Sequence, residues 1–380
     1  MKVSQLVFSS KSELSNFLKD FRHEANDFYI AFADKSYFQD NQINNEISKA
    51  FGNAILAGCS SSGEISNKKF SEGTFILTAV KLEKSRIKKC CYKLKDVSES
   101  REAGVHLAKQ LQSPDLKHVF ILSDGINVNG TRLIEGINSV YDEKINVSGG
   151  LAGDDAAFEK TYVADMENHF VSNIVTAFGF YGDSIVTGSA SFGGWDSFGI
   201  DRLVTKSKEN IVFEIDGKPA LDLYKSYLGE EMSKELPGSA LFFPLEMRDH
   251  EDSELLVRTI LGVNEEEKSL TFAGNIPEGS SVRLMKTNVN RVIDGAGKAS
   301  DLVKQGIDAH AQLVILVSCV GRKLVLKQLT QDEVDAVSDN FDQSSMFAGF
   351  YSNGEISKAK FHKECSLHNQ TMTVTALSEI

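Results

Sequence analysis

Apolar runs of strand length alternate with amphipathic stretches along the chain. Amphipathic spacing predicts a helix over about residues 12–22 and a second over about residues 41–51, where Gly52 supplies the stop. Short apolar runs around these helices predict β-strands at residues 3–8, 28–33, 54–57 and 74–82. From residue 28 onward the order is strand, helix, strand, glycine turn and strand, which we take as one structural unit.

The turn within this unit occurs twice with nearly the same residues. Ala57–Ser66 reads Ala-Gly-Cys-Ser-Ser-Ser-Gly-Glu-Ile-Ser, and Ala348–Ser357 reads Ala-Gly-Phe-Tyr-Ser-Asn-Gly-Glu-Ile-Ser. Glycine at both ends suits a sharp reversal after a strand, because glycine reaches positive φ without a steric penalty. The two copies indicate an internal repeat whose corner shapes a ligand pocket. The candidate corner residues are Gly58, Gly63, Glu64, Gly354 and Glu355.

The same order of elements recurs in the middle of the chain. An apolar strand at residues 118–122, a helix capped by Asn129 and a strand at residues 145–147 are predicted. The turn that follows places Gly153 and Asp154 where the first copy has its second glycine and its acid. A second unit is therefore predicted.

A third unit is predicted near the end of the chain. It begins with a strand at residues 313–317, and Thr330 with Glu333 predicts a capping box at the start of its helix. The closing strands of all three units carry a Thr-Ala pair, at residues 78–79, 176–177 and 375–376.

The sequence between the second and third units has a different texture. Residues 184–204 are rich in glycine and contain the only tryptophan, Trp195. A helix over about residues 288–305 is also predicted, although Gly295 and Gly297 weaken its helix propensity. The remainder predicts a helix and four antiparallel strands, at residues 219–229, 242–247, 255–263, 269–272 and 281–285.

Composition limits the classes of function. The chain has 380 residues, 41% of them apolar, with 41 basic and 53 acidic side chains and a formal net charge of −12. This balance, without a basic patch, does not favour a nucleic-acid partner. The longest apolar run, residues 313–320, is far short of a membrane span, and the first 14 residues lack the apolar core of a signal peptide. We expect a cytoplasmic protein without a membrane partner.

The serine-rich turn does not have the form of a hydrolase site. A nucleophile elbow reads Gly-x-Ser-x-Gly, and the spacing from Gly58 to Gly63 is one residue too long. Cys59 could serve as a nucleophile only with a histidine base nearby, and the third copy has Phe350 at that place. The five cysteines, an odd number without a C-x-x-C pair, are expected to be free thiols without a zinc site. We expect no enzyme, with a Cys59 hydrolase as an alternative.

Acidic residues and histidines supply the other candidate sites. Glu64, Asp154, Asp155 and Glu355 would converge if the turns meet, either to bind a cation or to accept hydrogen bonds from backbone amides. The histidines chosen for their place beside predicted strand ends are His368, His250 and His169.

Several runs together resemble the FIST family of sensory domains, and they span about residues 25–378. They include the two glycine turns, Gly149–Asp155, Gly194-Trp195, Glu214–Ala220, Arg258–Leu261, Ile276–Gly279, Cys319–Arg322 and His368–Thr371. The resemblance implies a mixed α/β fold with two modules, residues 1–215 and 216–380, built from repeated strand–helix–strand–turn–strand units with sheets flanked by helices. It adds Trp195, Arg322 and Tyr351 as candidate pocket residues.

The resemblance also implies a function. Members of the family are thought to bind small ligands and to signal to a histidine kinase or a cyclase or phosphodiesterase, and some are haem-containing nitric-oxide sensors. The most specific expectation is therefore haem bound through one of the three histidines, since histidine is a common axial ligand. The alternatives are a sensor of another small molecule such as an amino acid, the Cys59 hydrolase, and a pure protein-interaction module. The oligomeric state stays open.

Overall fold

Three units of the same topology form the body of the protein. The computed structural model describes residues 1–23, 27–141, 144–155, 157–249, 255–307, 310–358 and 364–380. In each unit four strands lie side by side in the order first, closing, central and fourth. The closing strand is antiparallel to the strands on either side of it, and the central and fourth strands are parallel. The predicted mixed α/β class, with mixed sheets flanked by helices, is confirmed.

The first unit shows how local sequence sets the elements. Asp40 caps α3 by accepting hydrogen bonds from the backbone N–H groups of Gln42 and Ile43, and Ile43 and Ile47 are buried against the sheet. The elements are β1 (Lys2–Phe8), α1 (Lys11–Asp20), β2 (Asp27–Asp34), α2 (Lys35–Gln39), α3 (Asn41–Phe51), β3 (Ile55–Ser61), β4 (Glu64–Ser66), β5 (Lys69–Ser71) and β6 (Phe75–Lys81).

The second unit repeats this order. The sequence prediction missed its first strand, because half of the residues in that strand are basic and it lies at the edge of the sheet, where charge is favoured. The elements are β7 (Arg86–Lys93), α4 (Ser100–Leu111), β8 (Leu116–Ser123), α5 (Gly130–Asn138), β9 (Asn146–Leu151), β10 (Val163–Ala164), β11 (Phe170–Val171) and β12 (Ile174–Tyr181).

The third unit is interrupted after its first strand, β13 (Ile185–Phe192), by residues 196–286, which we call the cap. The cap contains β14 (Asp196–Lys208), β15 (Ile211–Ile215), β16 (Lys218–Pro219), α6 (Ala220–Lys234), β17 (Leu245–Arg248), β18 (Leu256–Arg258), β19 (Ile260–Asn264), β20 (Ser269–Phe272) and β21 (Ser281–Lys286). The unit then continues with α7 (Val289–Lys304), β22 (Leu313–Cys319), α8 (Val320–Leu326), α9 (Thr330–Ser338), β23 (Met346–Ser352), β24 (Gly354–Lys358), β25 (Cys365–His368) and β26 (Met372–Glu379).

The cap is one antiparallel sheet of order β18-β17-β21-β14-β15-β20-β19, with β16 paired to β15. The single strand predicted at residues 255–263 is wrong: Arg258 pairs with Leu245 near one edge, and Ile260 pairs with Phe272 near the other. The helix predicted to stop at Gly229 continues beyond a kink there. The predicted boundary between residues 215 and 216 lies in the turn between β15 and β16.

Each unit lends a hairpin to the sheet of its neighbour. The fourth strand of the first unit, β3, pairs with β10 of the second unit. In the same way β9 pairs with β24 of the third unit, and β23 pairs with β4 of the first. The exchange is cyclic, so every one of the three sheets contains strands from two units.

Apolar side chains of the central and fourth strands meet where the three sheets face one another. The ring centroids of Phe32 and Phe350, from the first and third units, lie 4.6 Å apart. Phe120 and Phe178 bring in the second unit, and all four rings are buried in one cluster. Aromatic side chains bury large apolar areas, so this centre contributes strongly to stability.

The polar start of α9 differs from its predicted form. The Thr330 hydroxyl donates to the carbonyl oxygen of Lys327 at 2.6 Å, and the α9 N-cap position, Leu329, makes no side-chain cap. Glu333 turns inward to Arg322 instead. The predicted capping box is therefore wrong, because a buried guanidinium is the stronger partner of that carboxylate.

The length and the apolar character of a helix decide whether it can cross a membrane. Among the helices of the described ranges, none combines the length and the apolar character needed to cross a bilayer.

Gly295 and Gly297 on α7 separate two effects of glycine. A Cβ on Gly295 would lie far inside contact distance of the Gly193 carbonyl oxygen, whereas a Cβ on Gly297 would lie 3.5 Å from its nearest neighbour. We expect Gly295→Ala to lower the free energy of unfolding by about 1–3 kcal/mol because of the clash. We expect Gly297→Ala to raise it by about 0.5–1 kcal/mol because alanine favours helix. Urea unfolding measures both, and equal effects would contradict the packing of α7 on Gly193.

Candidate functional site

The three glycine turns meet and hydrogen-bond to one another in a ring. One backbone N–H in each turn donates to a backbone carbonyl of another turn, so that each unit holds a neighbour through its corner. The three bonds are Gly153 to Ser60 at 2.9 Å, Ser62 to Tyr351 at 2.9 Å, and Asn353 to Leu151 at 3.0 Å. The predicted corner residues are therefore brought together.

Close contacts explain the glycines of these corners. A Cβ on Gly58 would lie 2.6 Å from the Ala31 carbonyl oxygen, and a Cβ on Gly153 would lie 2.6 Å from the Tyr351 carbonyl oxygen. Gly63 has φ of 138°, and a Cβ on Gly354 would lie 3.2 Å from a methyl group of Leu367. Gly153 therefore lets the second turn approach the third, and Gly58 lets β3 approach the neighbouring strand β2.

The two glutamates of the repeated turn are buried inside their own corners. Each accepts a hydrogen bond from a serine hydroxyl three residues earlier, and bonds from the backbone N–H and the hydroxyl of a threonine before the closing strand. The partners are Ser61 and Thr74 for Glu64, and Ser352 and Thr371 for Glu355. Burial raises the pKa of each carboxyl to about 7, although the serine and threonine hydrogen bonds oppose it.

Asp154, the corresponding acid of the second unit, organises the loop that follows it. Its carboxylate accepts hydrogen bonds from the backbone N–H groups of Phe158, Glu159 and Lys160, at 2.8–3.1 Å, and lies 3.7 Å from the ammonium of Lys35. The described residues contain no group of three or more histidine, cysteine, aspartate or glutamate side chains placed to hold a metal ion. The corner acids thus bind backbone and hydroxyl donors.

Arg322 and Tyr351 belong to a buried polar network. Arg322 forms an ion pair with Glu333 at 2.8 Å, with both side chains fully buried, and Tyr351 donates to the same carboxylate at 2.6 Å. The guanidinium also donates to the carbonyl of Gly193 at 2.6 Å and lies 5.9 Å from the ring centroid of Trp195. Removing one partner of a buried ion pair typically costs about 3–5 kcal/mol, so this network anchors α8 to α9.

A pocket of about 190 Å³ lies between the cap and the body. The cap contributes Pro237, Gly238, Leu241, Thr259, Ile260, Leu261 and Ala273. The body contributes Phe158 of the second unit and, from the third unit, Cys319, Val320, Gly321, Leu324, Asn353 and Asn369. We call it the amide pocket, after the carboxamides of Asn353 and Asn369.

Polar atoms without partners distinguish the amide pocket. Both side-chain polar atoms of Asn353 and of Asn369 are buried and have no hydrogen-bond partner among the described residues, and the same holds for the hydroxyl of Thr259. The amide oxygen of Gln370, next to Asn369, is likewise unpartnered in the described structure. Asn369 is fully buried and Asn353 is 8% exposed. A buried polar group without a partner costs about 1–3 kcal/mol, so a partner from outside the chain is expected.

At least four polar contacts fasten the cap to the body around this pocket, among them a hydrogen bond from the backbone N–H of Asn275 to the Thr131 hydroxyl at 3.3 Å. Arg258 donates to the carbonyl oxygen of Leu367 on β25 at 3.0 Å. Asn275 accepts a hydrogen bond from the Asn129 side chain at 3.0 Å, and Gln370 donates to the carbonyl of Leu241 at 3.4 Å. The cap thus closes over the ends of strands β22 and β23 through few bonds.

Two of the three candidate histidines lie within the described residues, and both are outside the amide pocket. Nε2 of His368 is 3.1 Å from the carbonyl oxygen of Ser357, so that nitrogen carries a proton and cannot bind iron in this geometry. His169, in the turn between β10 and β11, lies 3.8 Å from Glu167, and neither histidine lines the amide pocket. His250 lies outside the described residues. The positions of His368 and His169 therefore do not support haem in the amide pocket.

Cys59 has no features of a nucleophile. Its thiol is fully buried in the apolar centre, and burial raises its pKa well above the usual value. The thiolate needed for attack is therefore disfavoured at neutral pH.

Sequence reasoning missed the asparagines of the amide pocket. Both lie in runs that carry the family resemblance, the glycine turn for Asn353 and the run His368–Thr371 for Asn369. The signal was present at Asn353, which replaces Ser62 of the first copy, but only the fold shows that the amide is buried without a partner.

The body is a cyclic arrangement of three α/β units, and the cap covers a pocket at one of its corners. The chain belongs to the FIST family: residues 27–218 match the FIST N domain and residues 220–358 match the FIST C domain. FIST domains are sensor domains of signal transduction that bind small ligands. The junction of the two matches lies within the cap.

The chain is also similar to one protein of known origin. The chain is 24% identical over 323 residues to an uncharacterized protein of Methanocaldococcus jannaschii, which covers 79% of this chain. The chain spans 60% of the length of that protein.

The buried glutamates predict a pH dependence of stability. Because the folded-state pKa of Glu355 is about 7 and its ordinary value is 4.5, the carboxyl stabilises the fold at low pH. That stabilisation is lost as pH rises through about 7. We expect the free energy of unfolding to fall between about pH 5 and about pH 8. The substitution Glu355→Gln should make this fall smaller by about 2 kcal/mol.

Urea unfolding at several pH values measures the effect. Glu231→Gln, which removes an exposed glutamate of α6, should leave the profile of the unsubstituted protein unchanged. An identical profile for Glu355→Gln and the unsubstituted protein would contradict a raised pKa at Glu355.

Proposed function

We propose that the protein is a sensor whose small ligand binds in the amide pocket and fastens the cap to the body. The observation that supports this site is the pair of buried, unpartnered carboxamides of Asn353 and Asn369 between two parts of the fold. An apolar pocket with a few convergent polar groups is the usual form of a small-molecule site. Here the cap supplies mainly apolar contacts, and the third unit supplies the amides.

The same geometry suggests how a signal leaves the pocket. Residues Cys319–Gly321 at the start of α8 line the pocket, and the next two residues, Arg322 and Lys323, bind other parts of the body. Lys323 donates to the carbonyl of Ser62 at 2.7 Å and to Asp155 at 2.8 Å, which belong to the first and second units. A ligand that changes the position of α8 would therefore act on all three corners. Typical couplings of this kind amount to about 1–3 kcal/mol.

The output is proposed to be protein–protein signalling without catalysis. The proposed partner is a histidine kinase or a cyclase or phosphodiesterase in the cytoplasm, and membership in a sensor family supports a signalling role. The burial of Cys59 supports a role without a nucleophile.

Filling the pocket tests its role as the ligand site. Ala273 lines the pocket from the cap, and we expect Ala273→Phe to block it while leaving the body intact. A metabolite library screened by thermal denaturation should contain compounds that raise the Tm of the unsubstituted protein, because a bound ligand stabilises the folded state. The same compounds should lose this effect on Ala273→Phe. Equal shifts for both proteins would place the ligand site elsewhere.

The haem-based nitric-oxide version stays a prediction with a direct spectroscopic test. It requires Nε2 of His368 to leave the Ser357 carbonyl, or iron ligation by His169 or by His250, which lies outside the described residues. It predicts a Soret band at stoichiometric haem that moves on addition of nitric oxide and is lost in one of His368→Ala, His250→Ala and His169→Ala. A featureless spectrum would exclude haem and leave the amide pocket as the sensor site.

A further inference from the structure

We infer that the ligand of the amide pocket is a small uncharged molecule that carries an amide-like donor and acceptor on a short apolar body. The inference rests on the proposed function and names the ligand class of that site. Three properties of the pocket lead to it: the size of the pocket, the absence of charge among its lining residues, and the kind of polar atom that is left without a partner.

Volume limits the ligand to a few atoms. An engineered apolar cavity of about 150 Å³ is large enough for benzene, and the amide pocket has about 190 Å³. A molecule of roughly six to ten non-hydrogen atoms therefore fits. A porphyrin or a nucleotide would fit only in part, with the remainder outside the pocket.

The lack of charged lining residues limits the chemistry of the ligand. None of the residues that line the pocket is acidic or basic. Three basic residues, Arg258, Arg322 and Lys323, stand next to a lining residue in sequence, but none of them lines the pocket. Arg258 donates to the carbonyl oxygens of Asn275 and Leu367 at 3.2 and 3.0 Å. Arg322 is paired with Glu333, and Lys323 is paired with Asp155. A carboxylate or an ammonium placed here would lose its hydration without gaining an opposite charge, which is costly. A free amino acid would carry both ions into the pocket.

The unpartnered atoms specify what the ligand must offer. Asn353 and Asn369 line the pocket, and each carries a buried amide oxygen and a buried NH₂ group without a partner among the described residues. A primary amide or a urea-like group carries the complementary donor and acceptor on adjacent atoms, so one ligand group satisfies both atoms of an asparagine. The lining leucine, isoleucine and valine side chains then surround the apolar body of the ligand.

Three probes of similar size test the class. Butyramide, butyrate and butylammonium each have four carbons and nearly the same size, and they differ in charge and in the polar group. We expect saturation-transfer NMR to show butyramide bound to the full-length protein, and signals at least tenfold weaker for the two ions. Butyrate or butylammonium bound as strongly as butyramide would overturn the uncharged class, yet it would leave the pocket as the ligand site.

The variant Asn369→Leu tests the role of the carboxamide. It removes both unpartnered atoms at similar volume, so we expect a higher Tm together with loss of the butyramide signal. A side chain with a purely structural role would give the opposite sign of Tm change.

Asn44→Leu is the matched control. The Asn44 carboxamide is fully used, since it donates to and accepts from the backbone of Phe170 at 2.8 Å. We expect this variant to lower Tm and to keep the butyramide signal. A lower Tm for Asn369→Leu, an unchanged butyramide signal in that variant, or no butyramide signal in the unsubstituted protein would each overturn the inference. The Ala273→Phe screen would still decide whether any ligand binds in the pocket.

Discussion

The ring of backbone hydrogen bonds among the three glycine turns is the constraint on which the rest of the structure depends. Each turn donates to a carbonyl of a neighbouring unit, and each hairpin that follows a turn completes the sheet of another unit. A unit separated from the others would expose the edge of its fourth strand, which natural proteins avoid. A corner glycine such as Gly153 therefore allows neighbouring units to pack closely. The three units are expected to fold together as one.

The repeat diverges at the corner that the cap covers. Ser62 of the first unit accepts a hydrogen bond from the backbone N–H of Asp155 at 2.9 Å, and Ala152 of the second unit is apolar and buried. Asn353 takes the same place in the third unit, and its side-chain carboxamide has no hydrogen-bond partner in the described structure. The side chain at this position needs no further partner in two corners, because one is hydrogen-bonded and the other is apolar. The third corner retains polar groups without partners, at a cost in stability. A cost of this kind is commonly found at functional sites.

The sequence predicted the units because their pattern is local. Apolar runs, glycine turns and the Asn129 cap depend on residues near in sequence, and the structure has strands, turns and caps at these places. The capping box at Thr330 failed because Glu333 has a partner, Arg322, that lies on another helix. The amide pocket could not be predicted for the same reason. Asn353 and Asn369 become notable only when the cap buries them, and no local pattern reveals a missing partner.

The position of α8 explains why a small ligand could matter to so large a body. Its first turn lines the amide pocket, Arg322 ties it to α9 through a buried ion pair, and Lys323 ties it to the corners of the other two units. Buried ion pairs and close-packed corners do not deform gradually, because breaking one contact leaves a charge or a backbone group unsatisfied. A ligand that partners Asn353 and Asn369 would therefore favour one discrete arrangement of cap and body. The interaction energy of two carboxamides is comparable with the coupling that sensors typically use, about 1–3 kcal/mol.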